Sequence, residues 1–331
     1  MKIGLGLIAH NEETLIKRCL NSFLPIGFSE ICVVVNNSTD RTAEFVKEWA
    51  NDNHKTLILI EKEIRPFSFK DARNIYIDEL NDKVDFILTV DVDDLATQGM
   101  IQFIKDFRGS HDLISFRYRT GPNTAHLNYR FFKTNIGIKY EGDVHEYIMS
   151  PPSAKRFNSD FEVIHHPTDL GHYKTSAIRN LEIFESIKSS GREPSSREIF
   201  YYANTLRDLA RMDEAVEAYQ SYRKKPHVYH DEWCHTFIYE ARCLRFLRRP
   251  DDAIKVLTEL CSKDSTWGFA WMELCFNYFY LKRDFTSALA TAAKAHACPF
   301  RARLFEEQDK AKDGSETIRH LKLSYEALKL P

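Results

Sequence analysis

Acidic side chains cluster directly after one apolar stretch of the sequence. The stretch Asp85–Val90, DFILTV, predicts a buried strand, and Asp91, Val92, Asp93 and Asp94 follow it. Two carboxylates separated by one intervening residue, such as Asp91 and Asp93, can reach the same divalent cation, and hard oxygen ligands suit Mg²⁺ or Mn²⁺. Such cations commonly bridge protein carboxylates to substrate phosphates. The spacing therefore indicates a metal-assisted phosphate site, with a solvated acidic turn as the alternative for these residues taken alone.

The residues around this cluster alternate between strand patterns and helix patterns. Apolar runs predict strands at Lys2–Ala9, Glu30–Val35, Thr56–Ile60 and Asp85–Val90, and helical spacing predicts helices at Glu13–Phe23, Thr42–Asn51 and Phe69–Leu80. This alternation is typical of βαβ units and a mainly parallel, Rossmann-like sheet, in which acidic groups at a strand's carboxyl end face the ligand crevice. Further strand patterns follow at Leu113–Tyr118, Asn128–Phe132 and Phe161–His165 without intervening helices.

Five segments, taken in order, resemble family 2 glycosyltransferases, which have the GT-A fold. They are IAHNEETLIKRCLNSF from Ile8, VVVNNSTDRTAEFV from Val33, FSFKDARNIYIDEL from Phe67, ILTVDVDDLAT from Ile87 and NYRFFKTNIGIKYEGDVHEYI from Asn128. The resemblance covers about residues 1–185 and favours the branch with a VHE motif and a C-terminal tetratricopeptide-like domain. It implies an inverting, metal-dependent enzyme that moves a hexose or pentose from a nucleotide-sugar, with a UDP-sugar as the first choice.

The resemblance also implies roles for individual residues. It places Ala9, Asn11, Glu12, Asn36, Arg73, Asp91 and Val92 around the donor nucleotide-sugar. It makes Asp93 a ligand of Mn²⁺ or Mg²⁺, and His145 or His165 candidates to complete the metal site. An inverting enzyme needs a general base that deprotonates the acceptor, and Glu146 is the first candidate and Asp143 the second. Asp94 either supports the metal ligands or contacts the sugar.

The second strand departs from the family pattern at its end. The family usually carries an aspartate there, on the uracil or ribose side of the donor, whereas this chain has Val35 followed by Asn36. Asn36 could replace that aspartate as a neutral hydrogen-bonding group. The departure leaves the nucleotide open, so GDP and CMP remain candidates beside UDP.

The chain reads as helical from about residue 174 to its end, with a weak internal repeat. Ala215, Ala253 and Ala288 recur at separations of 38 and 35 residues, with Ala203, Ala241 and Phe276 twelve positions before them. A small residue where two helices touch is typical of tetratricopeptide repeats, whereas chance spacing in a generic helical bundle is the alternative. We therefore predict a GT-A domain at 1–172 and an all-α helical-repeat domain at 173–331, which offers an acceptor platform or a homodimer interface.

The composition excludes several other classes of protein. The chain has 331 residues, 46 basic and 48 acidic, and no apolar run of eighteen residues, so neither a dedicated nucleic-acid binder nor a membrane-spanning protein is expected. The seven cysteines are odd in number and lack CxxC spacing, which predicts reduced thiols in a cytoplasmic protein rather than disulfides or a structural zinc site.

The sequence identifies neither the acceptor nor a single function. A peptide side chain, a saccharide or lipopolysaccharide, and a modified DNA base are the candidate acceptors. The rival is a non-catalytic scaffold protein that binds partners through the helical repeats, but the paired carboxylates at Asp91 and Asp93 argue against it. A nucleotidyltransferase is disfavoured because IAHNEETLIKR lacks a glycine-rich phosphate loop after the first strand.

Overall fold

The computed structural model divides the chain into two compact units, Met1–Leu170 and Gly171–Pro331. It describes residues 1–65, 67–121, 124–166, 172–226 and 228–298, and six residues near the C-terminus: Arg319, His320, Lys322, Leu323, Glu326 and Leu328. The segment 167–171, which contains the unit boundary, lies outside the described residues, and the domain limits 172 and 173 stay a prediction.

The first unit contains ten strands and four helices among its described residues. The strands are β1 (Ile3–Ala9), β2 (Glu30–Asn36), β3 (Leu57–Lys62), β4 (Phe86–Val90), β5 (Asp94–Ala96), β6 (Leu113–Gly121), β7 (Thr124–Lys133), β8 (Lys139–Glu141), β9 (Tyr147–Met149) and β10 (Arg156–His165). The helices are α1 (Ile16–Phe23), α2 (Thr42–Asp52), α3 (Phe69–Leu80) and α4 (Gln98–Asp106), and a short 3-10 turn spans Leu24–Ile26.

Eight of the strands form one sheet in the order β3-β2-β1-β4-β7-β6-β10-β5. The first four are parallel, β6 and β10 are also parallel to each other, and β7 and β5 run antiparallel to their neighbours. The central strands β1 and β4 are buried along nearly their whole length, as a sheet covered on both faces requires. The predicted mainly parallel α/β architecture is therefore confirmed.

Two apolar clusters cover the two faces of this sheet. One packs α1, α2 and α4 against β1, β2 and β4, and the other packs α3 and the β8–β9 hairpin against the opposite face. Helix α3 approaches β1 closely at Gly6, where an added Cβ would overlap the buried Tyr76 ring. Only glycine permits this approach of helix to strand. On this opposite face, α3 and the β8–β9 hairpin lie near the carboxyl ends of the parallel strands.

The second unit is helical throughout its described residues, as predicted. Its helices are α5 (His172–Ser189), α6 (Ser196–Asp208), α7 (Met212–Arg223), α8 (His230–Phe246), α9 (Pro250–Lys263), α10 (Gly268–Phe276) and α11 (Phe285–Ala297), with a π-helical segment at Asn277–Lys282 after α10. Ala215, Ala253 and Ala288 are fully buried near the start of α7, α9 and α11. This placement agrees with the expected role of small residues at helix contacts, and the tetratricopeptide assignment stays a prediction.

Among the described residues, the structure has no helix that combines the length and the apolar character needed to cross a membrane.

Candidate active site at the carboxyl ends of the strands

Asp91, the first residue after β4, lies between two buried arginines. The Arg73 Nη2 donates to its Oδ1 at 2.7 Å, and the Arg130 Nη2 donates to its Oδ2 at 2.7 Å. Both guanidiniums are almost fully buried, with 4% and 8% of each side chain exposed, whereas 32% of the Asp91 side chain is exposed. Arg73 also donates through Nε to the Glu146 carboxylate at 2.6 Å. Two cations and two anions therefore form one continuous network.

The network fixes the ionisation of Asp91. Burial by itself would raise the pKa of this carboxyl, but the Arg130 and Arg73 guanidiniums outweigh burial and hold the pKa well below its ordinary value. Each arginine also lies over an aromatic ring, Arg73 over Tyr140 at 5.2 Å and Arg130 over Tyr118 at 4.9 Å. Asp91 is consequently a fixed negative charge at the edge of the sheet.

Asp93, Asp94 and His165 bring their side-chain ligand atoms within 4.8 Å of one another. The pairing of β10 with β5 causes this, because it sets His165 directly opposite Asp94. The Asp94 side chain is fully buried: its Oδ1 lies 3.1 Å from His165 Nδ1, and its Oδ2 accepts from Tyr118 Oη at 2.9 Å. His165 Nδ1 also lies 3.4 Å from Asp93 Oδ1.

These donors fit a hard or borderline divalent cation. Carboxylate oxygen and imidazole nitrogen are ligands that Mn²⁺ accepts, and Mg²⁺ prefers oxygen alone. Asp94 uses both of its oxygens within the protein, since Oδ2 also accepts from the Asp91 amide at 2.8 Å. Asp94 is therefore placed to orient the His165 ring rather than to bind the cation. Asp93 and His165 are the residues placed to be the cation's ligands. The predicted ligands Asp93 and His165 thus lie together.

Two carboxyls near this group have raised pKa values. Burial, together with the negative charges of Asp91 and Asp94, raises the pKa of Asp93 to about 6, although His165 acts in the opposite direction. Burial and the charges of Asp93 and Asp40 raise the pKa of Glu12 to about 7. The site therefore concentrates more negative charge than its own cations neutralise, and a bound cation would relieve this excess.

The loops after β1 and β2 are tied to each other at the same edge of the sheet. The Glu12 amide donates to Thr42 Oγ1 at 2.7 Å, and the Glu13 amide donates to Asp40 Oδ2 at 3.0 Å. Asn11, exposed and left-handed with φ of 55°, accepts from the Thr39 amide at 2.8 Å. These contacts fix the walls of the crevice in which the donor is predicted to bind.

Three other predicted donor residues lie at the ends of strands. The Asn36 side chain is buried and its Oδ1 accepts from the Ile64 amide at 2.9 Å, so this oxygen joins the end of β2 to the chain after β3. Ala9 is the last residue of β1, pairs with Val35 and is buried, as is Val92.

The turn between β8 and β9 carries the predicted base candidates. Asn74 of α3 holds this hairpin in place, because its side chain pairs with both backbone groups of Tyr140 at 2.8 and 3.0 Å. Asp143 faces Lys70 at 3.1 Å, while Glu146 pairs with Arg73 as described above. His145 is exposed and left-handed, with φ of 53°. The described part of the chain does not place it in the Asp93, Asp94 and His165 group.

Arg130 and Tyr118 are the site residues that our sequence reasoning did not single out. Arg130 stands between apolar neighbours in NYRFF, and an arginine inside a buried strand implies an anionic partner. The sequence thus indicated that Arg130 has an anionic partner. It did not identify that partner as Asp91, because the identification requires the antiparallel pairing of β7 with β4. Tyr118 carried no comparable signal, because a tyrosine in a strand is ordinary core composition.

Comparison with known proteins finds relatives of the first part of the chain. Residues 5–107 match the model of the family described as Glycosyl transferase family 2. Two curated relatives, the SPbeta prophage-derived glycosyltransferase SunS of Bacillus subtilis strain 168 and the glycosyltransferase SunS of Bacillus phage SPbeta, are each 28% identical over 227 residues. That match covers 65% of this chain and 51% of each relative, so the chain spans about half the length of these relatives.

Solved structures give weaker likenesses. The S. aureus TarS 1-349 structure has a TM-score of 0.39 at 13% identity, covering 89% of this chain and 90% of that one. The Sgt2 TPR domain from Aspergillus fumigatus has a TM-score of 0.33 at 13% identity, covering 41% and 81%. The family match spans β1 to α4, including Asp91, Asp93 and Asp94. It confirms that the first unit resembles the family 2 glycosyltransferases.

Proposed function

We propose that this protein is an inverting, metal-dependent glycosyltransferase that uses a nucleotide-sugar donor, with a UDP-sugar as the first choice. The observation that carries the proposal is the Asp93, Asp94 and His165 group at the carboxyl end of β4, inside the segment that matches family 2 glycosyltransferases. Ligands of open α/β sheets bind outside the carboxyl ends of the strands, especially near switches in strand order.

The donor diphosphate is proposed to bind at the edge formed by β1, β2 and β4. Asp93 and His165 would hold Mn²⁺ or Mg²⁺ there, and the cation would neutralise the charge that develops on the diphosphate leaving group. Arg73 and Arg130 are buried and both pair with Asp91, so they act by fixing that carboxylate, and Arg73 also fixes Glu146. Asp91 keeps a third of its side chain exposed, which supports its assignment as a donor contact.

The general base is proposed to be Glu146, with Asp143 as the alternative. Each carboxylate lies in the turn between β8 and β9 and has a cationic partner, Arg73 for Glu146 and Lys70 for Asp143. An inverting reaction requires a base that accepts the proton of the acceptor hydroxyl or thiol as that atom attacks the anomeric carbon. A Glu146→Gln variant that binds donor normally but lacks transfer would support the first assignment.

The acceptor is proposed to be a peptide side chain, a saccharide or lipopolysaccharide, or a modified DNA base. The helical unit is proposed to be an acceptor platform or a homodimer interface, because stacked helix pairs form extended binding surfaces.

The test is the thermal stability of the whole chain with a panel of nucleoside diphosphates and nucleotide-sugars, each with and without Mn²⁺. A ligand that binds only the folded protein raises its apparent stability in proportion to saturation. We expect a metal-dependent rise with one nucleotide, its loss in Asp93→Asn, and its retention in Asp52→Asn, an exposed control at the end of α2.

The rival function is a non-catalytic scaffold that binds partners through the helical unit. Absence of a rise in thermal stability with every nucleotide of the panel would count against the enzyme and favour this rival.

A further inference from the structure

The second unit contains a cluster of metal-ligand side chains that is separate from the candidate active site. His230, the first residue of α8, lies one helical turn before Cys234, and Asp264 follows the last residue of α9. The His230 Nε2 atom is 3.1 Å from Asp264 Oδ2 and 3.6 Å from Cys234 Sγ. All three ligand atoms lie within 4.8 Å of one another. An imidazole, a thiol and a carboxylate therefore converge on one small volume.

Two of the three ligand-atom separations are close to the edges of a tetrahedral zinc site. With Zn–S of about 2.3 Å, Zn–N of about 2.05 Å and Zn–O of about 2.1 Å, tetrahedral angles give S···N edges of about 3.6 Å and N···O edges of about 3.4 Å. The observed separations of 3.6 and 3.1 Å differ from these values by no more than about 0.3 Å. The Cys234 Sγ and the Asp264 oxygen lie within 4.8 Å of each other, against a tetrahedral S···O edge of about 3.6 Å, so side-chain movement closes this third edge as the ion binds.

Asp264 is held in the orientation that a ligand needs. Its Oδ1 accepts from the Thr266 amide at 3.0 Å and from Thr266 Oγ1 at 2.5 Å, while Oδ2 faces His230. One oxygen thus fixes the carboxylate and the other points into the cluster, the arrangement that supports metal ligands in proteins. The carboxylate and the Cys234 thiolate together would balance the two positive charges of the ion.

The two ends of the cluster differ in exposure. Cys234 is fully buried, whereas 62% of the His230 side chain is exposed, so the cluster is accessible to solvent from the His230 side. A thiolate and an imidazole favour Zn²⁺ over Mg²⁺ or Ca²⁺, which prefer oxygen ligands. The cysteine spacing along the sequence predicted no zinc site, because the ligands come from α8 and from Asp264, the residue after α9, which lies thirty residues beyond Cys234.

We propose that His230, Cys234 and Asp264 bind Zn²⁺ and thereby tie the start of α8 to the end of α9. The Cys234 thiol releases its proton to solvent as the ion binds, since the thiolate is the ligand. The fourth position is taken by water. The site does not depend on the glycosyltransferase proposal, because it shares no residue with the Asp93, Asp94 and His165 group.

The test uses the whole chain carrying Asp93→Asn, which removes a ligand of the first candidate centre. After chelator treatment and desalting, Zn²⁺ and then Co²⁺ are titrated alone. We expect one tightly bound ion per chain, a rise in melting temperature, and a thiolate-to-cobalt charge-transfer band. Adding Cys234→Ser should remove the band, and adding His230→Ala should weaken Zn²⁺ binding by about tenfold or more.

Two controls keep the outcome decisive. Cys243→Ser removes another buried cysteine of α8 and should leave both the cobalt band and the Zn²⁺ affinity unchanged. His230 is exposed, so its replacement tests the site even if the Cys234 variant folds poorly. The proposal is overturned if no Zn²⁺ is retained at micromolar concentration, or if the cobalt band and the affinity persist in the His230 and Cys234 variants.

Discussion

Two aspartates that are two residues apart should respond to the same substitution with opposite changes in stability. Asp91 neutralises two buried guanidiniums, whereas Asp93 lies among other carboxylates. In Asp91→Asn, the Glu146 carboxylate is the only anion left to balance the Arg73 and Arg130 guanidiniums. One buried positive charge is therefore uncompensated. Removing one partner from a buried ion pair costs about 3–5 kcal/mol. Because 32% of the Asp91 side chain is exposed, we expect the lower end, about 3 kcal/mol.

Asp93→Asn should stabilise the fold in the absence of metal. The pKa of Asp93 is raised from 3.8 to about 6, so ionising it costs folding free energy as the pH rises through this interval, and the full cost applies at pH 7. At about 1.4 kcal/mol per pKa unit, the upper limit is about 3 kcal/mol. Partial exposure, 27% of the side chain, reduces the expected gain to about 1 kcal/mol. The neutral amide removes this cost.

The measurement is hydrogen exchange of the whole chain at pH 7 with a chelator present. Peptides that contain β4 report the opening free energy of the first unit, and peptides from α8 serve as an internal reference in the second unit. We expect faster exchange in β4 for Asp91→Asn, slower exchange for Asp93→Asn, and no change in α8. Equal losses of protection in the two variants, or none for Asp91→Asn, would refute the assignment of charges in this network.

Three further substitutions test the packing and the charges. Gly6→Ala should lower the free energy of unfolding by about 1–3 kcal/mol in urea denaturation, because its Cβ would overlap the buried Tyr76 ring. Ala288→Leu should cost a similar amount, since Ala288 is fully buried at a helix contact. Burial raises the pKa of Glu198, but the hydrogen bonds from Arg192 and Ser195 and the charge of Arg192 together outweigh burial and lower the pKa. The stability that this group contributes is therefore fully present above pH 4.5, the ordinary pKa of a glutamate, and is lost as the pH falls through the lower pKa of the folded state. Glu198→Gln should abolish that loss in acid titrations followed by circular dichroism.

Each of the two packing predictions has a matched control. Gly4→Ala, also in β1, meets only flexible side-chain atoms at 3.1 Å and beyond and should cost less than the Gly6 variant. Ala290→Leu places the same side chain on the exposed face of α11 and should be nearly neutral, unlike Ala288→Leu. Equal losses within either pair would contradict the packing argument. An unchanged acid profile in Glu198→Gln would show that Glu198 does not govern acid stability.

Local patterns sufficed to locate most elements of the first unit. The helix predicted at Phe69–Leu80 has the same limits in the structure, because Ser68 caps it and the apolar spacing continues to its end. The strands β1, β2 and β4 also lie within one residue of their predicted limits.

Two neighbouring elements, β5 and α4, were not predicted. Strand β5 has three residues, too few to show a period, and it exists because it pairs with β10. The side chain of Thr97, which caps α4, also donates to the Glu162 carbonyl of β10, so this segment too depends on a distant strand.

The sequence by itself determined the α/β class of the first unit, the helical character of the second and the acidic cluster after β4, because these depend on local periodicity and neighbouring residue types. Only the tertiary structure decided which groups meet that cluster. His165 reaches Asp94 through an antiparallel pairing across 71 residues, and Arg130 reaches Asp91 across 39. With 13 histidines and 46 basic residues in the chain, no local pattern selects these partners, since strand order is set by burial of the whole sheet.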